Sequence, residues 1–272
     1  MAVAKDIKDG RTAKRMPAPE RQDRISLLLA QSGYLSISDI AQQMTVSDMT
    51  VRRDLDVLAA QGLAAKAFGG AVSLTGGRAA RMDIHEPVIE ERIRRNSDAK
   101  AKIGRKAAGL IEPRQTIAID IGSTTLCLAH AIMESDVRVF TNSLKIASLL
   151  SSGRPHVYMP GGEIRGSEPS TIGSMAQQQL AQFRFDLVFL GASGVAADGF
   201  YDYSLEDSEI KQALIGRAEK TVALIDSSKF DRLSVVKVAD LQSVDMLIAE
   251  QPPDETLAAH LEAAGVEIVI TD

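Results

Sequence analysis

The stretch "TVSDMTVRRDLDVLAAQGLAAKAFGGAV", residues 45–72, decides how this chain is read. Ser47 can open a helix, because its hydroxyl accepts an early backbone N–H that the helix itself leaves unpaired. Val51, Leu55 and Leu58 recur at i, i+4 and i+7, the spacing of one buried helix face. Asp48, Met49, Thr50, Arg52 and Arg53 then fall on the other faces. Gly62 stands where a helix C-terminus is capped. Leu63 to Leu74 reads as a short hairpin turning at Gly69-Gly70. The adjacent arginines have two readings. They form a solvated face paired with Asp48, Asp54 or Asp56, or they present rigid guanidinium forks to guanine edges and phosphates.

The residues upstream favour the second reading. Ile25, Leu28 and Leu29 share one helical face, and the pattern breaks at Ser32-Gly33. Ser36 or Ser38 caps a short helix in which Ile40, Ala41 and Met44 face inward. Three short helices followed by a hairpin are the layout of a winged helix-turn-helix, whose last helix meets base edges with its N-terminal residues. Ser36, Ser47, Asp48, Met49, Thr50, Arg52, Arg53, Lys66, Gly69 and Gly70 are the candidate DNA contacts.

Charge is divided to match. The chain of 272 residues carries 31 Lys/Arg against 36 Asp/Glu, a net of −5. Residues 1–80 hold 11 of the basic and 8 of the acidic side chains, so a mildly basic N-terminal part precedes an acidic remainder. Residues 1–19 read as a flexible basic arm, 20–75 as the winged helix-turn-helix, 76–97 as a linker with some helix, and 98–272 as a separate domain. No apolar run approaches the roughly 20 residues a membrane span needs, and no secretion signal is read at the N-terminus. The single cysteine, Cys127, forms no internal disulfide and fits a reducing cytoplasm. His85, His130, His156 and His260 are scattered, so neither a metal nor another cofactor is expected.

From Lys100 onward, short β-branched runs alternate with helical stretches. The runs span 116–120, 137–140, 156–160, 186–192, 221–226, 246–249 and 266–270. The fold class is therefore α/β, with a mainly parallel sheet. Ligands of such sheets bind beyond the carboxyl ends of the strands. There "IDIGSTT" turns a strand into a helix, either as an ordinary capped βα turn or as a loop whose backbone N–H groups and helix dipole suit a phosphate, with Asp120, Gly122, Ser123, Thr124 and Thr125 at hand. Thr141, Asn142 and Ser143 repeat the strand-then-polar-turn design. Gly161, Gly162 and Glu163 belong to "PGGEIR", and Gly191, Ala192, Ser193 and Gly194 end a strand with small residues that let a ligand approach. Asp207, Lys211 and Lys229 lie near further strand ends, where a lysine can hold a phosphate as a point charge.

"VSDMTVRRDLDVLAAQGLAAKAFGGAV" closely resembles the recognition helix and wing of the DeoR family of bacterial repressors. "DIGSTT", "FRFDLVFLGASG" and "SKF" resemble that family's C-terminal sensor domain, nearest to the glycerol-3-phosphate repressor type, so the likeness spans about residues 20–272. Two positions depart from the family pattern. Phe68 stands where a His is usual, and Asp207 where a Glu is usual. The resemblance implies a Rossmann-like sensor domain similar in fold to ribose-5-phosphate isomerase and glucosamine-6-phosphate deaminase. It implies a cytoplasmic, nucleoid-associated repressor of a carbohydrate or polyol operon, working as a homodimer or homotetramer on operator DNA. It also implies release by an effector that is a phosphorylated sugar or polyol, or a related metabolite. Two alternatives stand beside this: a sugar-phosphate isomerase or deaminase, and a DNA-binding regulator with no effector. Against the enzyme, "LGASGV" holds no carboxylate where the similar isomerase segment carries catalytic acids.

Overall fold

The computed structural model describes residues 16–32, 34–67, 70–73, 81–82, 87–166 and 168–272. The chain divides into two units, Met1–Ala79 and Ala80–Asp272. In the first, helix α1 (Ala18–Ser32) leads into strand β1 (Tyr34–Ser36), α2 (Ile37–Met44), α3 (Asp48–Ala60), β2 (Ala64–Ala67) and β3 (Gly70–Ser73). Ser36 rather than Ser38 caps α2, accepting the Asp39 N–H at 3.0 Å. Ser47 caps α3 through the Thr50 N–H at 3.4 Å. At the other end of α3, Gly62 adopts a φ of 71°, and the Leu63 N–H reaches the Leu58 carbonyl at 2.9 Å. That left-handed residue and back-bonding form a Schellman stop, which glycine adopts without a Cβ penalty.

Ile25, Leu29, Ile40, Met44, Val51, Leu55 and Leu58 pack into one small core. The wing differs from the sequence reading in two ways. β3 pairs with β1 as well as with β2, so a three-stranded antiparallel sheet forms. Ala67 faces Gly70 across the hairpin, which puts Gly70 in a strand rather than in the turn. Phe68 and Gly69 lie outside the described residues, as do residues 1–15 of the basic arm.

In the second unit, β4 (Arg81–Met82), α4 (Ile89–Arg94) and α5 (Ser97–Ala108) come first. The segment 76–97, read as linker, thus contributes structure here: β4 pairs with a later strand, and α4 packs on a helix of the sheet domain. There follow β5 (Thr116–Ile119), α6 (Ser123–Ala131), β6 (Arg138–Phe140), α7 (Leu144–Leu150), β7 (His156–Tyr158), β8 (Glu163–Arg165), β9 (Ser170–Ile172), α8 (Ser174–Leu180) and β10 (Phe185–Leu190). The chain continues through β11 (Gly194–Ala196), β12 (Gly199–Asp202), α9 (Leu205–Ile215), β13 (Ala218–Leu224), β14 (Arg232–Leu233), β15 (Val236–Ala239), β16 (Met246–Ala249), α10 (Glu255–Ala263) and β17 (Glu267–Ile270).

All seven β-branched runs enter one parallel sheet, ordered β17-β16-β13-β10-β5-β6-β7. Alternation along the strands feeds one core on one face of the sheet and two on the other. Ile117, Ile119, Leu187, Phe189, Val222 and Leu224 meet α5, α6 and α7 on one face. Ala118, Val188 and Leu190 meet α8 and α9 on the other. The order reverses between β5 and β10, so the loops after these two strands flank the switch point of the sheet, where such folds open a crevice. A smaller antiparallel sheet, β11-β12-β15, and the hairpin β8-β9 are elements that periodicity did not reveal.

Candidate functional site

The first unit offers one polar helix face. Val51, Leu55 and Leu58 are buried, while Ser47, Asp48, Met49, Arg52 and Arg53 are exposed and Thr50 is half-buried. Asp54 does not serve the neighbouring arginines. It is buried on the inner face and accepts from the Arg21 guanidinium at 2.6 and 3.1 Å and from Gln22 at 2.9 Å. This pair ties α1 to α3 and leaves Arg52 and Arg53 pointing to solvent. Ser36 is engaged in capping α2, and Lys66 pairs with Ala71 through the wing backbone.

The second unit has a cleft of about 210 Å³ at the switch point. Among the residues expected there, Gly122, Ser123, Thr124, Gly191, Ala192, Ser193, Lys211 and Lys229 line it. Gly122 precedes α6 with a φ of 145°, a conformation that side chains rarely adopt. The first-turn N–H groups of α6 have no helical acceptor of their own and carry the positive end of its dipole. Thr125 instead donates its hydroxyl to the Gly122 carbonyl at 3.0 Å and braces the turn from below.

Lys211 differs from its sequence reading. It is fully buried, and its ammonium contacts Asp120 and lies 3.1 Å from Asp202. Burial works against that charge, but the two carboxylates outweigh it and raise its pKa. An ammonium so neutralised is not a free point charge for phosphate. Asp120 is its counter-ion and not a wall residue. It also accepts the Gly191 N–H at 3.1 Å, and burial pushes its carboxyl up to about 7 against the pull of Lys211. Lys229 is the contrasting lysine. Burial lowers its pKa, Asp226 opposes that, and Arg92, Arg232 and Lys100 add like-charge repulsion.

The remaining candidates fall outside the cleft lining. Thr141, Asn142 and Ser143 are buried at the end of β6, where Ser143 caps α7 and the Thr171 N–H bonds the Asn142 carbonyl. Gly161, Gly162 and Glu163 are exposed and enter the β8-β9 hairpin. Gly194 lies in β11, where a Cβ would come within 2.2 Å of the Arg232 carbonyl oxygen. Asp207 is buried in the first turn of α9 and accepts from Arg165 and from the Ser170 hydroxyl at 3.2 Å.

Asp226 also lines the cleft, and several wall residues escaped the sequence reading: Arg92, Arg95, Asn96, Lys100, Asp202, Tyr203 and Arg232. Asn96 donates to Asp226 at 2.8 Å, and Arg92 pairs with Glu168 at 2.7 Å. Lys100 is 3% exposed and donates to the Arg95 carbonyl at 2.7 Å, closing the end of α4 against the cleft. Asp226 does carry a readable signal, since it closes the apolar run 221–226, whereas Asp202 ends β12, a strand that periodicity did not reveal. Arg92 to Lys100 carry none, because they precede the first strand of the sheet.

A winged helix with a polar reading face, joined to an α/β unit with a cation-rich crevice, defines a DNA-binding regulator with a sensor domain. Models of two protein families match these parts: a DeoR-like helix-turn-helix domain over residues 21–76, and a DeoR C terminal sensor domain over 95–251. The chain belongs to the DeoR family. It is 31% identical to the glycerol-3-phosphate regulon repressor of Escherichia coli (strain K12), over 88% of this chain and 93% of that protein. It is 32% identical to the glycerol-3-phosphate regulon repressor of Haemophilus influenzae, over 92% and 96%. Among solved structures, ribose 5-phosphate isomerase from Methanocaldococcus jannaschii aligns at 19% identity and a TM-score of 0.37, over 50% of this chain and 55% of that one.

Proposed function

We propose that this protein represses a carbohydrate or polyol catabolic operon, and that a phosphorylated sugar or polyol in the cleft relieves the repression. The observation that carries this reading is that Lys229, Arg92 and Arg232 line the same cleft as Gly122, Ser123 and Thr124 at the start of α6, at the switch point of the parallel sheet. Phosphate is matched there by fixed N–H groups and by cations. Relatives named as glycerol-3-phosphate regulon repressors support the same class of effector. No described helix is long and apolar enough to cross a membrane, and we assign the protein to the cytoplasm, on the nucleoid.

Two or four copies would present their α3 helices to repeated half-sites, and the effector would favour the arrangement that mismatches them. Such a switch operates only through a difference in effector affinity between the two arrangements. Catalysis is not assigned: the loop after β10 brings Gly191, Ala192 and Ser193 to the cleft and no acid.

The DNA-reading half is tested at Arg52 and Arg53. Arg52→Ala or Arg53→Ala weakens operator binding by about 1–3 kcal/mol where the side chain meets a base edge. A mobility-shift titration checks this, and unchanged affinity in both variants removes α3 as the reader. The sensing half is tested by a thermal-shift screen of phosphorylated sugars and polyols against the full chain, in which stabilisation by none of them refutes the effector class.

A further inference from the structure

The cleft has two electrostatically unlike ends. At one, Lys229 feels the carboxylate of Asp226 and the cations Arg92, Arg232 and Lys100, with Glu168 paired to Arg92. At the other, Lys211 feels three carboxylates, Asp120, Asp202 and Asp207. Two of these three are committed inward. Asp120 is fully buried and holds Lys211 and the Gly191 N–H, while Asp207 is taken by Arg165 and Ser170. Asp202 alone of the three lines the cleft. Its Oδ1 accepts the Tyr203 N–H at 2.8 Å, and its Oδ2 lies 3.1 Å from the Lys211 Nζ.

A carboxylate has about four acceptor positions, so these two contacts leave Asp202 able to accept more from the cleft side. Lys211 is 1% exposed and held between two carboxylates, so it cannot swing out to meet a second anion at this end. A hydroxyl placed here donates a charge-assisted bond. A carboxylate placed here has no proton to give, and it brings two like charges together in a partly desolvated site.

We propose that Asp202 is a specificity-determining residue: it admits a hydroxyl and rejects a carboxylate at the end of the effector remote from its phosphate. The site then takes phosphorylated polyols and sugars and excludes phosphorylated sugar acids of the same length. This rests on the reading of the cation-rich end as the phosphate anchor.

The test compares pairs that share phosphate and carbon chain and differ only in a terminal hydroxymethyl or carboxylate: glycerol 3-phosphate with 3-phosphoglycerate, and glucitol 6-phosphate with 6-phosphogluconate. Calorimetry on the wild-type chain is expected to show the alcohol of at least one pair binding at least about tenfold more tightly than its acid. Asp202→Asn removes the charge and adds an amide donor, and it is expected to close that gap, with Asp202→Ser as a second variant. Ligand-free melting and binding of inorganic phosphate report whether each variant keeps its fold and its anchor. Equal binding within both pairs by the wild type overturns the role of Asp202 and leaves the anchor standing. So does a gap unchanged in folded variants. Failure of inorganic phosphate and all four compounds to bind the wild type overturns the anchor, and this inference with it.

Discussion

Replacing Lys211 by methionine destabilises the sensor unit by about 3–5 kcal/mol, because it strands a buried carboxylate without its partner. Methionine fills most of the volume, so the loss is electrostatic and not a cavity. Asp120 and Lys211 are both fully buried, and Asp202 keeps its N–H bond from Tyr203 in either case. The effect also has a pH signature. The Asp120 carboxyl already stands at about 7, above its unfolded value, through burial. Without the lysine it rises further. The folded state then binds a proton that the unfolded state has released, so stability falls as pH rises through that interval. Melting temperatures of Lys211→Met are therefore expected to drop more steeply from pH 5 to pH 8 than those of the wild type. Adding Asp120→Asn should restore much of the loss. A single variant as stable as the wild type at pH 8 contradicts the assignment of Lys211 as a structural counter-ion.

Lys229→Ala has the opposite profile: the fold survives and the response to effector is lost. Asp226 retains Asn96 and Ser228 as hydrogen-bond donors when Lys229 is removed, with Lys100 nearby. What disappears is a cation at the end of the cleft we assign to phosphate. Truncating one partner of a desolvated charge pair costs about 2 kcal/mol or more, which is roughly 30-fold or more in affinity. The variant is expected to bind operator DNA like the wild type and to stay bound at effector concentrations that release the wild type. Normal release would remove Lys229 from the site. Loss of DNA binding as well would show that it supports the fold instead.

These two lysines show where sequence reasoning reaches and where it stops. Both follow acidic residues near strand ends, and pattern alone treats them alike. Only the fold reveals that Lys211 faces Asp120 across the switch point, while Lys229 shares its surroundings with Asp226 and the cations Arg92, Arg232 and Lys100. The seven strands were legible because their β-branched runs are bounded by turns, and α3 because Val51, Leu55 and Leu58 keep strict helical spacing. The loops after β5 and β10 were legible because ligands of parallel sheets gather at carboxyl ends. Arg92, Asn96 and Lys100 were not, since short charged helices without an apolar period resemble linker. The buried Arg21–Asp54 pair was only half hidden: helical spacing puts Asp54 on the face of Val51, Leu55 and Leu58, but nothing in the sequence names Arg21 as its partner.

The most direct test of the whole account is effector-driven release of DNA by the full chain. Genomic fragments that the protein enriches would be used in a mobility shift, titrated with phosphorylated sugars and polyols and with their unphosphorylated parents. At least one phosphorylated compound is expected to release the DNA, its parent is not, and Lys229→Ala is expected to abolish the release. DNA binding unchanged by every phosphorylated compound, or release by a parent alcohol as readily as by its phosphate, would contradict it.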